Sequence, residues 1–330
     1  MEKAFRPMER RMPDRPSAVL AGVIVAFAIA AIPVAAVLAQ TSGPFMLRET
    51  GQQFENLQQA INAIGAGQGT IAIAPGTYHE CAVQTAGSVH YDAVTAGTVT
   101  FARTTCEGKA ALVLRGRSAA VSGIIFKNMA VPDFNGAGIR LEQGNLDISQ
   151  SWFADSQQGI LSGNDSNGRI TIDKVTFSGL GTCEGPGGCA HSIYIGDYGT
   201  VQITRSRFEK GRGGHYVKAR ARTVDITASS FDDSGGRATN YMIDLPAGAA
   251  GTITGNWFVQ GQDKENYSAF IAVGAEQRLH ASDGLAISGN DARLAADVSR
   301  STTFVADWSG DALVLGPNML GRGLIPFDRR

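Results

Sequence analysis

Between residues 116 and 260 one hydrophobic phrase recurs six times: an aliphatic residue, four variable positions, then a phenylalanine. The pairs are Val121–Phe126, Ile148–Phe153, Ile172–Phe177, Ile203–Phe208, Ile226–Phe231 and Ile253–Phe258. Successive phenylalanines lie 27, 24, 31, 23 and 27 residues apart. Each interval holds β-branched runs such as ITID and VQIT, then a Gly/Asn/Ser turn. A strand-bearing repeat of this length cannot bury its own apolar face and has to stack on its neighbours. The pattern predicts an all-β parallel β-helix, one coil per repeat, each strand pairing with its equivalent about 4.8 Å away.

The flanks fit that plan. Phe54–Ile64, FENLQQAINAI, spaces Phe54, Leu57, Ala60, Ile61 and Ile64 as one face of an amphipathic helix. A helix there would cover the open end of the first coil. Gly69–Tyr78, GTIAIAPGTY, alternates and breaks at Pro75–Gly76, which predicts the first coil strand. The coils are expected to run to about Asn290. Beyond them, Phe304, Val305, Leu313 and Val314 suggest one or two degenerate coils and a cap. Three segments follow: residues 1–40 as leader, 41–68 as linker and capping helix, and 69–330 as one β-helix domain. Asn164, Asp165, Asn167 and Asn290 are expected at coil corners, where asparagine and aspartate tolerate the left-handed region. Trp152 and Trp257 each precede an inward phenylalanine and should face outward.

Charge changes the picture locally. The formal net charge is −1. Yet Arg205, Arg207, Lys210, Arg212, Lys218, Arg220 and Arg222 crowd one coil against a single acid, Glu209. Such a stripe on a near-neutral chain suits a local polyanion rather than nucleic acid. Residues 18–39 carry no charge and follow Arg10, Arg11 and Arg15. This is the pattern of an export signal, and it is long enough to serve as an inner-membrane anchor. A periplasmic or extracellular location is expected, with membrane contact only through that segment. The four cysteines agree, reading as two disulfides whose pairing the sequence leaves open: Cys183 and Cys189 flank EGPGG, a loop suited to one, and Cys81 and Cys106, each near a strand edge, could pair across adjacent coils.

The coil pattern and the GTIAIAPGTY opening resemble the right-handed parallel β-helix proteins of the pectate-lyase-like superfamily, including exported bacterial β-helix repeat proteins. The resemblance covers roughly Gly69 to Asn290. It implies a fold shared by polysaccharide lyases, glycoside hydrolases, uronate epimerases, esterases and non-catalytic adhesins.

Alignment of GIRLE, GILSG, SIYIG, YVKAR and MIDLP puts Ile139, Ile160, Ile193, Val217 and Ile243 inside. The column between inward positions then reads Arg140, Leu161, Tyr194, Lys218, Asp244, facing out. Two further outward columns are expected. One reads Gly138, Gly159, Ser192, Tyr216, Met242; the other reads Glu142, Gly163, Gly196, Arg220, Pro246. Tyr194, Lys218, Tyr216, Arg220 and His215 or His191 on one face suit β-elimination on a uronic-acid polymer. That chemistry needs a cation at the carboxylate, a base for the C5 proton and an acid for the leaving oxygen. The expected roles are Lys218 as base, its basicity favoured by positive neighbours, and Arg220 as neutraliser. Tyr194 or His215 would be the proton donor. Arg140, Tyr216, Asp244 and His191 would contact substrate. The plain alternative for Lys218 and Asp244 is a cross-strand ion pair that only keeps the sheet soluble.

Other chemistries fit less well. Inverting hydrolysis needs opposed carboxylates, but the column offers only Asp244, with Asp232 and Asp233 in a turn. Asp197 and Asp244 are too few for a calcium cluster, so no cofactor or metal is expected. Lyase or C5-epimerase action on an acidic polysaccharide is the leading expectation. A binding or export scaffold and a structural envelope solenoid are the alternatives.

Overall fold

Each aliphatic-to-phenylalanine phrase turns a corner of the coil. Two residues after the aliphatic one, the chain enters the left-handed region at Gly123, Gln150, Lys174, Arg205, Ala228 and Gly255. Four of those six are not glycine, and such a conformation costs each on the order of 1 kcal/mol. Hydrogen bonds between coils offset that cost. Just past the corner, the Ser206 and Ser229 hydroxyls and the Asn256 amide oxygen each accept a backbone N–H from the coil before. The ladder continues through Asn290 to Asn318. Asn290 therefore does sit at a corner, but glycine takes the left-handed position beside it.

The computed structural model describes residues 43–330, so the apolar stretch 18–39 lies outside the described residues. The chain is a parallel β-solenoid whose coils lay down three sheets of twelve, ten and ten strands. The first sheet holds strands such as Tyr198–Thr204 and Thr223–Thr227, and the second holds Arg207–Glu209 and Ser230–Asp232. The third holds Gln158–Ser162, Ile193–Ile195, Val217–Ala219, Ile243–Leu245 and Ala269–Val273. In every sheet a strand pairs with its counterpart one coil away, in register. Equivalent side chains therefore stack into columns. Inside, Phe101, Phe126, Phe153, Phe177, Phe208, Phe231 and Phe258 form one continuous pile. Its closest rings are 4.7 Å apart, with planes within 2°. Trp152 and Trp257 face outward, as expected.

At the start, the helix is shorter than its apolar spacing suggested, spanning Leu57–Ile64. The Asn56 side chain accepts the Gln59 N–H and fixes the start as an N-cap. Phe54 is left outside, in an antiparallel pair with Phe45. Leu57, Ala60 and Ile61 reach the core. At the other end, regular coils run well past Asn290. Strands continue to Leu324–Arg329, each paired with the coil before. Both disulfides form, pairing Cys81 with Cys106 and Cys183 with Cys189.

The phenylalanine pile generates a stability test. Phe208→Ala should cost about 3–5 kcal/mol in urea unfolding, because the neighbouring rings are held by their own coils and cannot collapse into the gap. Phe208→Leu should cost less than half of that. A loss below about 1 kcal/mol for the alanine variant would show that the pile contributes little.

Candidate functional site

On the outer face of the third sheet, parallel pairing sets Arg140 beside Leu161, Leu161 beside Tyr194, Tyr194 beside Lys218 and Lys218 beside Asp244. This is the column read from the sequence. Tyr194, Lys218 and Asp244 occupy three successive coils. The Lys218 ammonium lies 5.7 Å from the centre of the Tyr194 ring and 3.5 Å from the Asp244 carboxylate. Arg220, directly after the strand that carries Lys218, donates from Nε to the Tyr194 phenol oxygen at 3.3 Å.

A row of rings runs beside the column. His191 and His215 are 4.9 Å apart, His215 and Tyr241 5.5 Å, and Tyr241 and Trp308 6.4 Å. His191 meets the edge of Tyr194 at 5.3 Å. The Cys183–Cys189 loop leads straight into His191, and its Thr182 and Ala190 are bridged. A Cβ on Gly213 would strike Cys183 Sγ at 2.8 Å, so glycine there lets the loop lie against the coil that carries His215. The long interval in the sequence thus does border this face.

Burial sets the electrostatics. Asp244 is 3% exposed, and removal from water pushes its carboxyl up to about 6, against the pull of Lys218. His215 Nε2 lies 3.3 Å from Asp244 Oδ2. Burial holds His215 well below the ordinary histidine range and takes His191 down to about 3, with the Lys218 charge assisting in both. Two neutral imidazoles therefore back a carboxyl poised to exchange a proton near neutrality.

Several expected positions need correction. Tyr216 does not flank Lys218 on the outer face. It is 1% exposed and points inward, its hydroxyl donating to Asp233 at 2.8 Å and accepting the Gly211 N–H. The whole Gly138–Gly159–Ser192–Tyr216–Met242 column turns in. Met242 belongs to the core, and a Cβ on Gly138 would strike the Phe153 ring. The reason is local. Ser192, Tyr216 and Met242 precede their strands, and Gly138 and Gly159 are second in theirs, where the chain is still leaving the corner, so two consecutive residues face the interior. Asp233, read as a turn residue, is fully buried there and ion-paired with Lys264 at 3.0 Å.

Lys218 has Arg220 beside it, as the sequence suggested, but its immediate partners are acids. It lies between two carboxylates, Asp244 and Glu276, the latter at 2.7 Å. The basic stripe is largely matched by acids: Arg205 by Asp173 of the adjacent coil, Arg207 and Lys210 by Glu209 of their own coil, and Arg220 by Glu276. Arg140 shares the column but lies two rungs from Tyr194 and three from Lys218, roughly 14 Å at the spacing of paired strands. It lines a separate small cavity with Lys109, Asp133 and Asn135. His215 and His191 are held under the face rather than presented on it.

Three contributors were missed: Glu276, Tyr241 and Trp308. Glu276 lies in the excursion Gly274–Gly284, whose two end glycines adopt positive φ. The length of that segment and its bounding glycines were visible in the sequence. The coil onto which it folds was not. His280, from the same excursion, reaches Asp197 at 3.0 Å and the Arg220 carbonyl at 3.1 Å.

Comparison with family models, with curated proteins and with solved structures gave no match for this chain. Among the described residues no group of three or more His, Cys, Asp or Glu side chains is placed to hold a metal ion. Nor does any described helix have the length and apolarity to cross a membrane.

The buried acid and imidazoles act on stability with opposite signs. Between about pH 6 and pH 4 native Asp244 keeps a proton that the unfolded chain has released, so this group stabilises the fold as pH falls. The unfolded histidines take up protons below about 6.5, which native His191 and His215 refuse, so they destabilise it. Asp244→Asn removes only the first effect. Urea unfolding should therefore show the variant losing stability more steeply than wild type from pH 6 to pH 4, by on the order of 2 kcal/mol. Parallel profiles would mean that Asp244 stays ionised throughout.

Proposed function

We propose that this chain acts on an acidic polysaccharide at the outer face of its third sheet, as a uronate lyase or C5-epimerase. The observation that carries this reading is the Tyr194 phenol, held by the Arg220 guanidinium at 3.3 Å with the Lys218 ammonium over its ring. A uronate carboxylate received by Lys218 and Arg220 would place C5 beside Tyr194.

The chemistry then follows from charge. Tyr194 takes the C5 hydrogen as a proton while its own phenolic proton leaves to solvent. The electron pair left behind spreads into the carboxylate, where the two cations hold the growing charge. In a lyase those electrons form the C4=C5 double bond, the C4–O bond breaks, and the departing oxygen takes back the proton. In an epimerase C5 is reprotonated from the other face. Lys218 moves from the base role expected of it to charge neutralisation, because two carboxylates already hold it. His215 and Asp244 act from beneath, keeping Lys218 in place. The resemblance to the pectate-lyase-like superfamily favours the same chemistry. The two disulfides fit an oxidising compartment such as the periplasm or cell exterior, and residues 18–39 would deliver the chain there.

A binding-only scaffold is the second reading. It is favoured by the ion pairing of Lys218 and Arg220, which leaves their charge partly spent within the protein. Incubation with pectate, alginate, glucuronan and glycosaminoglycans separates the two. A lyase yields ultraviolet absorbance of the unsaturated uronate, and an epimerase yields solvent deuterium at C5. Tyr194→Phe should lower the rate about 10²–10⁴-fold and Arg220→Ala about 10²–10³-fold, with folding intact by circular dichroism. Binding of an acidic glycan without either product leaves the scaffold reading.

A further inference from the structure

Lys218 and Arg220 are the two cations that the proposed reaction needs at the substrate carboxylate, and a carboxylate already occupies them. One oxygen of Glu276 takes the Lys218 ammonium at 2.7 Å and the other takes the Arg220 guanidinium. Glu276 comes from the excursion after the strand Ala269–Val273, two coils beyond the strand Val217–Ala219, which carries Lys218 and which Arg220 directly follows. It is not a local partner supplied by the neighbouring rung, as Asp173 is for Arg205. The protein already gives Lys218 a rung partner, Asp244.

The excursion is anchored at both sides of Glu276 by contacts that do not involve this side chain. The Glu276 N–H donates to the Pro246 carbonyl at 3.0 Å, and those of Leu279 and His280 donate to Ala247 at 2.9 and 3.0 Å. Arg278 pairs with Asp311 at 2.5 Å, and His280 reaches Asp197. The backbone is thus held while the side chain is 44% exposed. Rotation about its own bonds frees the two cations with no movement of the coil. Burial opposes ionisation of Glu276, but hydrogen bonds from Lys218 and Arg220 prevail and hold its carboxyl below the usual range.

We infer that Lys218 and Arg220 form a carboxylate-binding site that is self-occupied, with Glu276 as a resident ligand that an incoming uronate carboxylate must displace. This rests on the reading of the face as a uronate site. Glu276 lowers apparent affinity by the cost of breaking its own two contacts. It also keeps two poorly solvated cations paired when the face is empty, and it excludes ligands too weakly charged to compete. A neutral sugar has no group to exchange for it.

The test compares wild type, Glu276→Gln and the double variant Glu276→Gln/Arg220→Ala. Two probes are used: tetramers of galacturonate, glucuronate and mannuronate by calorimetry, and sodium sulfate by thermal shift. Glutamine keeps the side-chain shape and removes the competing charge. Glu276→Gln should bind at least one tetramer about tenfold or more tightly than wild type and gain stabilisation by sulfate, and the double variant should lose both gains. Equal tetramer affinity in wild type and Glu276→Gln overturns the resident-ligand assignment while leaving the uronate reading intact. If no protein binds any tetramer, the uronate reading fails. The anion site then stands only if Glu276→Gln alone gains sulfate stabilisation, and it falls if sulfate affects all three proteins alike.

Discussion

The hydrogen-bonded register between parallel strands one coil apart is the constraint on which everything else rests. A slip of one residue would send every column to the opposite face. It would expose the phenylalanine pile and bury the Tyr194–Lys218–Asp244 column. Register is held from three directions at once: by the strand pairing, by the ring stacking inside, and by the Ser/Asn ladder at the corner. The non-glycine residues in the left-handed region show how firmly the corner is determined. Gln150, Lys174, Arg205 and Ala228 adopt a conformation they disfavour, because the next residue and the aliphatic residue before it are both fixed by neighbouring coils.

That rigidity converts sequence distance into chemical proximity. Residues separated by two dozen positions become neighbours at strand spacing, and Glu276, 58 residues from Lys218, becomes its ion-pair partner. The same geometry creates the electrostatic character of the face. A buried carboxyl, two neutral imidazoles and two cations lie close together, while much of the wider basic stripe is paired with acids of its own or the adjacent coil. Charge that looked concentrated along the chain is mostly spent on neighbouring acids. At the Tyr194–Lys218–Arg220 group the two cations are held by Asp244 and Glu276.

Much of this was readable from pattern. The period, the inward phenylalanines, the outward tryptophans and the central column follow from alternation and spacing, and the even cysteine count pointed to two disulfides whose pairing the structure fixes. The places where reading fell short share one cause. Alternation holds inside a strand and lapses at its ends, so Tyr216 and Met242, just before their strands, went to the wrong face. The helix start depended on side-chain contacts from Asn56 and Glu80 to the first-turn N–H groups rather than on apolar spacing. Glu276 could not be placed because nothing in its segment states which coil it crosses.

The sequence by itself determined the repeat, the coil, and which residues share a column, since these are set by period-two alternation and a near-constant interval. The tertiary structure alone decided which charges meet. The ion pairs of Lys218 and Arg220 form between coils and across an excursion, and the Glu276 partner is chosen by the path of the backbone after it leaves the repeat. The site is therefore half written in the pattern and half in the fold.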